Sequence, residues 1–190
     1  MENLTIINEI KENLKIDLSE TKYDSVLELL NQLLSASVRM WAGKDLSLGT
    51  YIERFDIDKK QTTIFLHQYP VIKVIKFIFK NHVMKQENDF FVYDNIGVIK
   101  IRSDYPFENE IETYVEYQAG YPIMPDTIKQ AVLKLIYREF YDRGIDDIFK
   151  IDIGTYSSER SSLLDDMPLV VYRLLYPYRR QCRAERGSVK

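Results

Sequence analysis

Two histidines, one cysteine and three close pairs of acids are the residues of this chain best equipped to make or break bonds. His67 and His82 stand fifteen apart, one in a β-branched run and the other at the edge of a polar stretch. A metal site or a nucleophile–base pair needs further groups at ligand spacing, and no acid or thiol stands at such spacing from either ring. Isolated packed or surface histidines are the simpler reading. Cys182 is the single cysteine and lies far along the chain from both, which excludes an internal disulfide and a cysteine-based zinc site. Asp56 with Asp58, Asp146 with Asp147, and Asp165 with Asp166 could share a proton or hold Mg²⁺. Without a third ligand they read better as solvated turns and helix caps, and Asp165-Asp166-Met167-Pro168 has the order expected of a cap. HExxH, GxSxG, Walker A and GxGxxG strings are all missing. The sequence therefore predicts no enzyme, no metal and no cofactor.

Charge placement says more. The whole chain carries 26 Lys and Arg against 29 Asp and Glu, a net of −3. Arg173, Arg179, Arg180, Arg183, Arg186 and Lys190 oppose only Glu185 after position 172, so this end is +5 and the remainder −8. A basic tail on an acidic body suits docking to an acidic protein surface or to nucleic acid. A nucleic-acid-binding module using that tail is the alternative function, and a terminus that merely aids solubility is the plainest one. The acidic body, with no basic face on any helix, favours the protein partner. Fourteen tyrosines, crowded toward the second half, add a residue type that interfaces favour for its area, few rotors and polar end.

The elements that must position these groups follow from periodicity. With 190 residues, 45% of them hydrophobic, and only 7 Gly and 6 Pro, the chain is long and apolar enough for an ordinary core. The start, Met1-Glu2-Asn3-Leu4-Thr5, lacks the pattern of a signal peptide, and no apolar run is long enough for a bilayer, so a soluble cytosolic product is expected. Ile6, Ile7, Ile10 and Leu14 predict a first helix capped by Thr5. Val26, Leu27, Leu30, Leu33, Leu34, Val38 and Trp41 predict a second, stopped by Gly43 and apolar over a wide arc. Strands are predicted over 61–66, 71–79, 90–93, 98–101 and 112–117, with Asp94-Asn95-Ile96-Gly97 as a hairpin turn. A strand near 52–57 and a loop over 81–88 complete that region. Pro125-Asp126 opens a third helix with Ile128, Val132, Leu135, Ile136 and Phe140 on one face and Leu133, Tyr137 and Tyr141 on another, closed by Gly144. The stretch 145–164 reads as loop, and a short helix follows Asp166 and Pro168 until Pro177 stops it. The expected class is α+β: a helical bundle (two N-terminal helices, a later long helix and a short C-terminal one) with an inserted antiparallel β module and an extended basic tail. Its parts are residues 1–48, the helical hairpin; 49–121, the β insertion; 122–178, the later helices; and 179–190, the tail.

The order of strings in this frame is recognisable. Ile10-Lys11-Glu12-Asn13-Leu14-Lys15-Ile16-Asp17, then Tyr23-Asp24-Ser25-Val26-Leu27 through Ala42-Gly43-Lys44, resembles the opening of tailed-phage head–tail connector (adaptor, or head-completion) proteins. Tyr114-Val115-Glu116-Tyr117-Gln118-Ala119-Gly120-Tyr121 is similar to that family's strand-to-helix junction, followed by Pro125, Ile128-Lys129-Gln130-Ala131-Val132 and Tyr141-Asp142-Arg143. Met167-Pro168, Leu174-Leu175 and Tyr178-Arg179-Arg180 resemble the closing helix, whereas the strand-rich middle is longer than in shorter members. The resemblance implies a structural ring, usually of twelve copies, at the head–tail junction of a virion and assembled in the host cytoplasm. Its partners would be its own copies, the portal protein and a tail or stopper protein, with double-stranded DNA passing through unbound and no membrane involved. Tyr178, Arg179, Arg180, Arg183 and Arg186 would then be the portal-docking residues, the arginines through forked bonds to carboxylates. Leu133, Tyr137 and Tyr141 would meet the neighbouring subunit, since a ring needs two different patches on each copy.

Overall fold

The computed structural model describes residues 3–57, 62–79, 82–102, 111–142 and 167–180. Four α-helices and seven strands form in the order α1 (Ile7–Leu14), α2 (Asp24–Ala42), β1 (Gly49–Ile57), β2 (Thr63–Phe65), β3 (Val71–Phe79), β4 (His82–Val83), β5 (Phe90–Tyr93), β6 (Val98–Ile101), β7 (Ile111–Ala119), α3 (Asp126–Asp142) and α4 (Leu169–Leu175). The α+β class with a strand-rich middle is therefore as expected. The chain separates into two compact units: a helical one made of Met1–Gly43 and Met124–Lys190, and a β unit made of Lys44–Ile123.

In the helical unit, the periodic residues are the ones that disappear from water. Ile10 and Leu14 of α1, Leu27, Leu30, Leu34 and Val38 of α2, Ile128, Val132, Leu135, Ile136 and Phe140 of α3, and Val171 and Leu175 of α4 are all buried. Polar contacts set the register of this packing. Asn31 Nδ2 donates to the Thr5 carbonyl at 2.9 Å, and the Leu4 N–H donates to Ser35 Oγ at 3.1 Å. The Lys11 ammonium, buried under the α1–α2 turn, donates to the carbonyls of Leu18 (3.2 Å) and Glu20 (2.8 Å) and pairs with Asp24 at 2.6 Å. Its cost of burial is offset because all three neighbours are oxygens. Thr5 does not cap α1 as expected; Ile6 holds the cap position, and Thr5 instead donates to Glu9 Oε2 at 2.6 Å. Glu9 also takes an ion pair from Lys129 of α3 at 2.8 Å, joining the two ends of the chain. Burial pushes the Glu9 carboxyl up, but hydrogen bonds from Lys129, Thr5 and the Ile6 N–H outweigh it and hold it below its usual value. Among the described residues no helix is long and apolar enough to cross a membrane.

The β unit holds two antiparallel sheets, ordered β1-β7-β3-β4 and β2-β6-β5. β7 is the central strand of its sheet, and Thr113, Val115, Tyr117 and Ala119 alternate inward as its sequence predicts. Val115, Tyr117 and Ala119 join Ile64, Phe77, Phe79, Phe90, Ile99 and Ile101 in one core between the sheets. The predicted β5–β6 hairpin forms around Asp94–Ile96, one 3₁₀ turn, with Gly97 at φ +62°. Part of the expected loop over 81–88 is strand, because His82 and Val83 pair with Phe79 and Ile78. Gly120 is obligatory: at φ +105°, an added Cβ would stand 2.2 Å from the Ser47 carbonyl oxygen. Lys44, also buried, lays its ammonium 3.6 Å from the centre of the Tyr69 ring.

Burial lowers the Lys44 pKa to about 8 from an ordinary value near 10.5. Between those values the unfolded chain holds a proton at this site that the folded one has released, so stability rises with pH across the window. Denaturant unfolding of the protein at pH 8, 9 and 10 should show this gain, with a slope approaching about 1.4 kcal/mol per pH unit from this group. Lys44→Met should flatten it.

Candidate docking surface

Val171 and Leu175, four apart, fasten α4 to the helical core, so the opposite side of this two-turn helix faces water. That side carries Leu169 and Val170, and Tyr176 follows in the 3₁₀ turn Tyr176–Tyr178; all three are at least half exposed. Tyr172 meets Trp41 of α2 edge-on, ring centres 5.7 Å apart, and also leans on Tyr176 at 5.7 Å. The Arg179 guanidinium lies over the other partner of this row, 5.4 Å from the Trp41 ring centre. Met40, exposed at the end of α2, adds a flexible apolar neighbour in sequence. The product is a solvent-facing row of large rigid rings edged by Arg173 and Arg179, and Trp, Tyr and Arg are the residue types that dominate binding energy at interfaces.

The stem of the tail is held in place rather than left loose. The Arg180 N–H donates to the Ala42 carbonyl at 2.6 Å, using a group left orphaned where α2 ends. Gly43 ends that helix at φ +68°, where an added Cβ would also stand a tight 3.3 Å from Arg180 Cβ. The Tyr178 hydroxyl shares a hydrogen bond with Thr127 Oγ1, tying the turn to the start of α3. Of the five residues expected to dock, Tyr178, Arg179 and Arg180 therefore sit together at one anchored corner. Arg183 and Arg186 lie outside the described residues, as do Cys182, Gly144, Asp58 and the pairs Asp146–Asp147 and Asp165–Asp166. Trp41 and Met40 were not singled out by the sequence as site residues; a lone tryptophan at the last turn before a helix-ending glycine was the available signal.

The second stripe of α3 lies as its spacing predicts. Leu133 is half-buried, while Tyr137 and Tyr141 are 51% and 47% exposed with ring centres 4.7 Å apart. Tyr141 also has an internal task, donating to the Leu14 carbonyl at the end of α1 at 2.9 Å.

The histidines differ from expectation in one respect. His67 is not isolated: its Nδ1 lies 2.6 Å from Glu53 Oε2, and its backbone N–H donates to the same carboxylate at 3.0 Å. Glu53 points to the core side of β1 and also accepts from the Tyr117 hydroxyl. Burial, then the bond to Glu53, pushes the Tyr117 phenol well above its ordinary pKa, keeping it a neutral donor. Tyr117 is wholly buried, so it can reach no substrate; the cluster joins β7 and β1 to the 66–68 segment, where the Gln68 N–H donates to the Tyr117 oxygen. Among the described residues no group of three or more His, Cys, Asp or Glu is placed to hold a metal ion.

The sequence profile of the family described as "Head completion protein" matches residues 3–180. No curated protein matches the chain by sequence. Among solved structures, the chain is similar to one in the neck of an empty gene transfer agent particle computed with C6 symmetry (TM-score 0.56, 14% identity, 94% of each chain covered). It is similar to one in the virion of a native gene transfer agent particle (TM-score 0.55, 13% identity, 94% of each chain). A third is in the neck of the native particle computed with C12 symmetry (TM-score 0.52, 14% identity, 94% of this chain and 93% of that one).

The anchored stem gives a direct test. Gly43→Ala should destabilise the helical unit by about 1 kcal/mol, since alanine is strained at positive φ. It should also speed trypsin cleavage after Arg179 and Arg180, read as loss of the C-terminal peptide by mass spectrometry.

Proposed function

We propose a head–tail connector role for this chain, which belongs to the head completion protein family: copies close into a ring that docks on the portal of a filled head and receives the tail or stopper protein. The observation that carries this reading is the family match across residues 3–180, which takes in both the helical and the β unit. Support for the ring comes from the particle necks in which chains of similar fold occur, treated with sixfold and twelvefold symmetry. Twelve copies is the number we infer. No bond is made or broken in this role; the chain works by matching its shape and charge to its neighbours.

Each described feature has a use in such an assembly. The Tyr137–Tyr141 pair on α3, with Leu133 beside it, is offered to a neighbouring copy, where two rigid rings lose little rotamer freedom on burial. Beyond the anchored stem run ten residues containing Arg183 and Arg186. Fixing Arg179 and Arg180 in advance lowers the entropy that these two residues lose on docking. Arginine suits a receiving surface rich in carboxylates because its planar fork makes two parallel bonds. One such arm is weak, but a closed ring presents all of them at once, and avidity then exceeds any single affinity by orders of magnitude. The acidic remainder of the chain suits a passage for DNA, since carboxylates repel phosphates and hold no moving duplex.

Deleting residues 181–190 should abolish co-sedimentation with the cognate portal while leaving the circular dichroism spectrum and the thermal midpoint of the protein unchanged. Undiminished docking of the truncated chain would remove the tail from the mechanism.

A further inference from the structure

The longer sheet of the β unit keeps one face out of the core, and β3 crosses it with two irregularities in its ladder to β7. Val71 pairs with Ala119 and Lys73 with Gln118, leaving Ile72 extra; Val74 pairs with Tyr117 and Lys76 with Glu116, leaving Ile75 extra. Each bulge puts two consecutive side chains on the solvent side, so Ile72 with Lys73 and Ile75 with Lys76 are all exposed, where a regular strand would bury every second one. Ile52 of β1, 58% exposed, lies on the same face in register with Glu116. Three exposed isoleucines with two lysines beside them are an unusual surface for an isolated sheet: the apolar area invites a protein partner, and the lysines select an acidic one.

The helical unit of the same chain carries the complement. Its α1–α2 hairpin exposes Leu18 and Leu29 together with Glu12, Asp17, Glu20 and Glu28, against Lys15 and Lys22. A ring of identical subunits needs two unlike, mutually matching patches on each copy. We propose that the bulged face of β3, centred on Ile72, Lys73, Ile75 and Lys76, seats the acidic α1–α2 hairpin of a second copy of this chain. This rests on the ring reading above and assigns the β insertion a task within it. The leucines cover the isoleucines, and Glu20 and Glu28 face the lysines. DNA is disfavoured as the occupant because the exposed isoleucines offer phosphates nothing.

The test uses two full-length chains, Ile75→Cys and Leu29→Cys, each also carrying Cys182→Ser to remove the natural thiol. Co-assembled in particles and treated with a short bismaleimide, they should give a covalent dimer on a denaturing gel, and neither chain alone should. Adding Lys73→Glu and Lys76→Glu to the first chain should abolish the dimer, and adding Glu20→Lys and Glu28→Lys to the second should restore it. Restoration separates an interface from a folding defect; a loss that is not restored overturns the charge pairing. Rings visible in the necks of particles that yield no mixed dimer overturn this seat and leave the ring reading standing. Particles that contain the chain without any ring remove both.

Discussion

The helical unit is built from two stretches of chain with an entire β unit between them, and the apolar contact of α2 with α3 is what brings those stretches together. Closing so long an insertion costs entropy, though only weakly more than closing a short one. Buried leucines of α2 and the Ile128, Val132, Leu135 and Phe140 face of α3 offset it, with Tyr23 packed edge-on against Phe140 at 5.7 Å. The Glu9–Lys129 pair and the Tyr141–Leu14 bond add direction to that contact. Everything at the docking corner depends on it, since Trp41 comes from one stretch and Tyr172, Arg179 and Arg180 from the other.

This dependence explains what was legible in the sequence. The helices were readable because their apolar residues repeat every three or four positions, and Gly43 and Pro177 mark ends by backbone chemistry alone. The β5–β6 hairpin was readable from its turn residues. β1 was harder: its core-facing row is Tyr51, Glu53 and Phe55, and a carboxylate in that row hides the alternation. Glu53 is tolerated there because Tyr117 and His67 supply donors, and neither partner is near it in sequence. The bulges in β3 were likewise invisible, because Val71–Phe79 is rich in β-branched and aromatic residues and reads as strand whichever of them pair. The tyrosines and arginines near the end were picked out by the sequence, but Trp41 joins Tyr172 and Arg179 only through the tertiary contact of α2 with α4.

The role proposed for the chain fits this division of labour. A connector must hold its shape while DNA is packed and later leaves, so its specificity lies in fixed surfaces rather than in moving parts. The helical unit provides a corner where Tyr178, Arg179 and Arg180 are held by α2 and α3. The β unit provides a sheet face on which two bulges leave Ile72 and Ile75 exposed. Neither surface requires a metal, a cofactor or a reactive side chain, and the buried polar clusters at Lys11 and at Glu53 are spent on holding loops to helices and strands to one another.

Imaging the necks of intact particles at a resolution that traces this chain tests the central claim most directly. The account predicts a closed ring of the chain between the portal and the first tail component, with the C-terminal arm directed at the portal. Particles in which the chain is found elsewhere, or at the junction as scattered single copies, would contradict it.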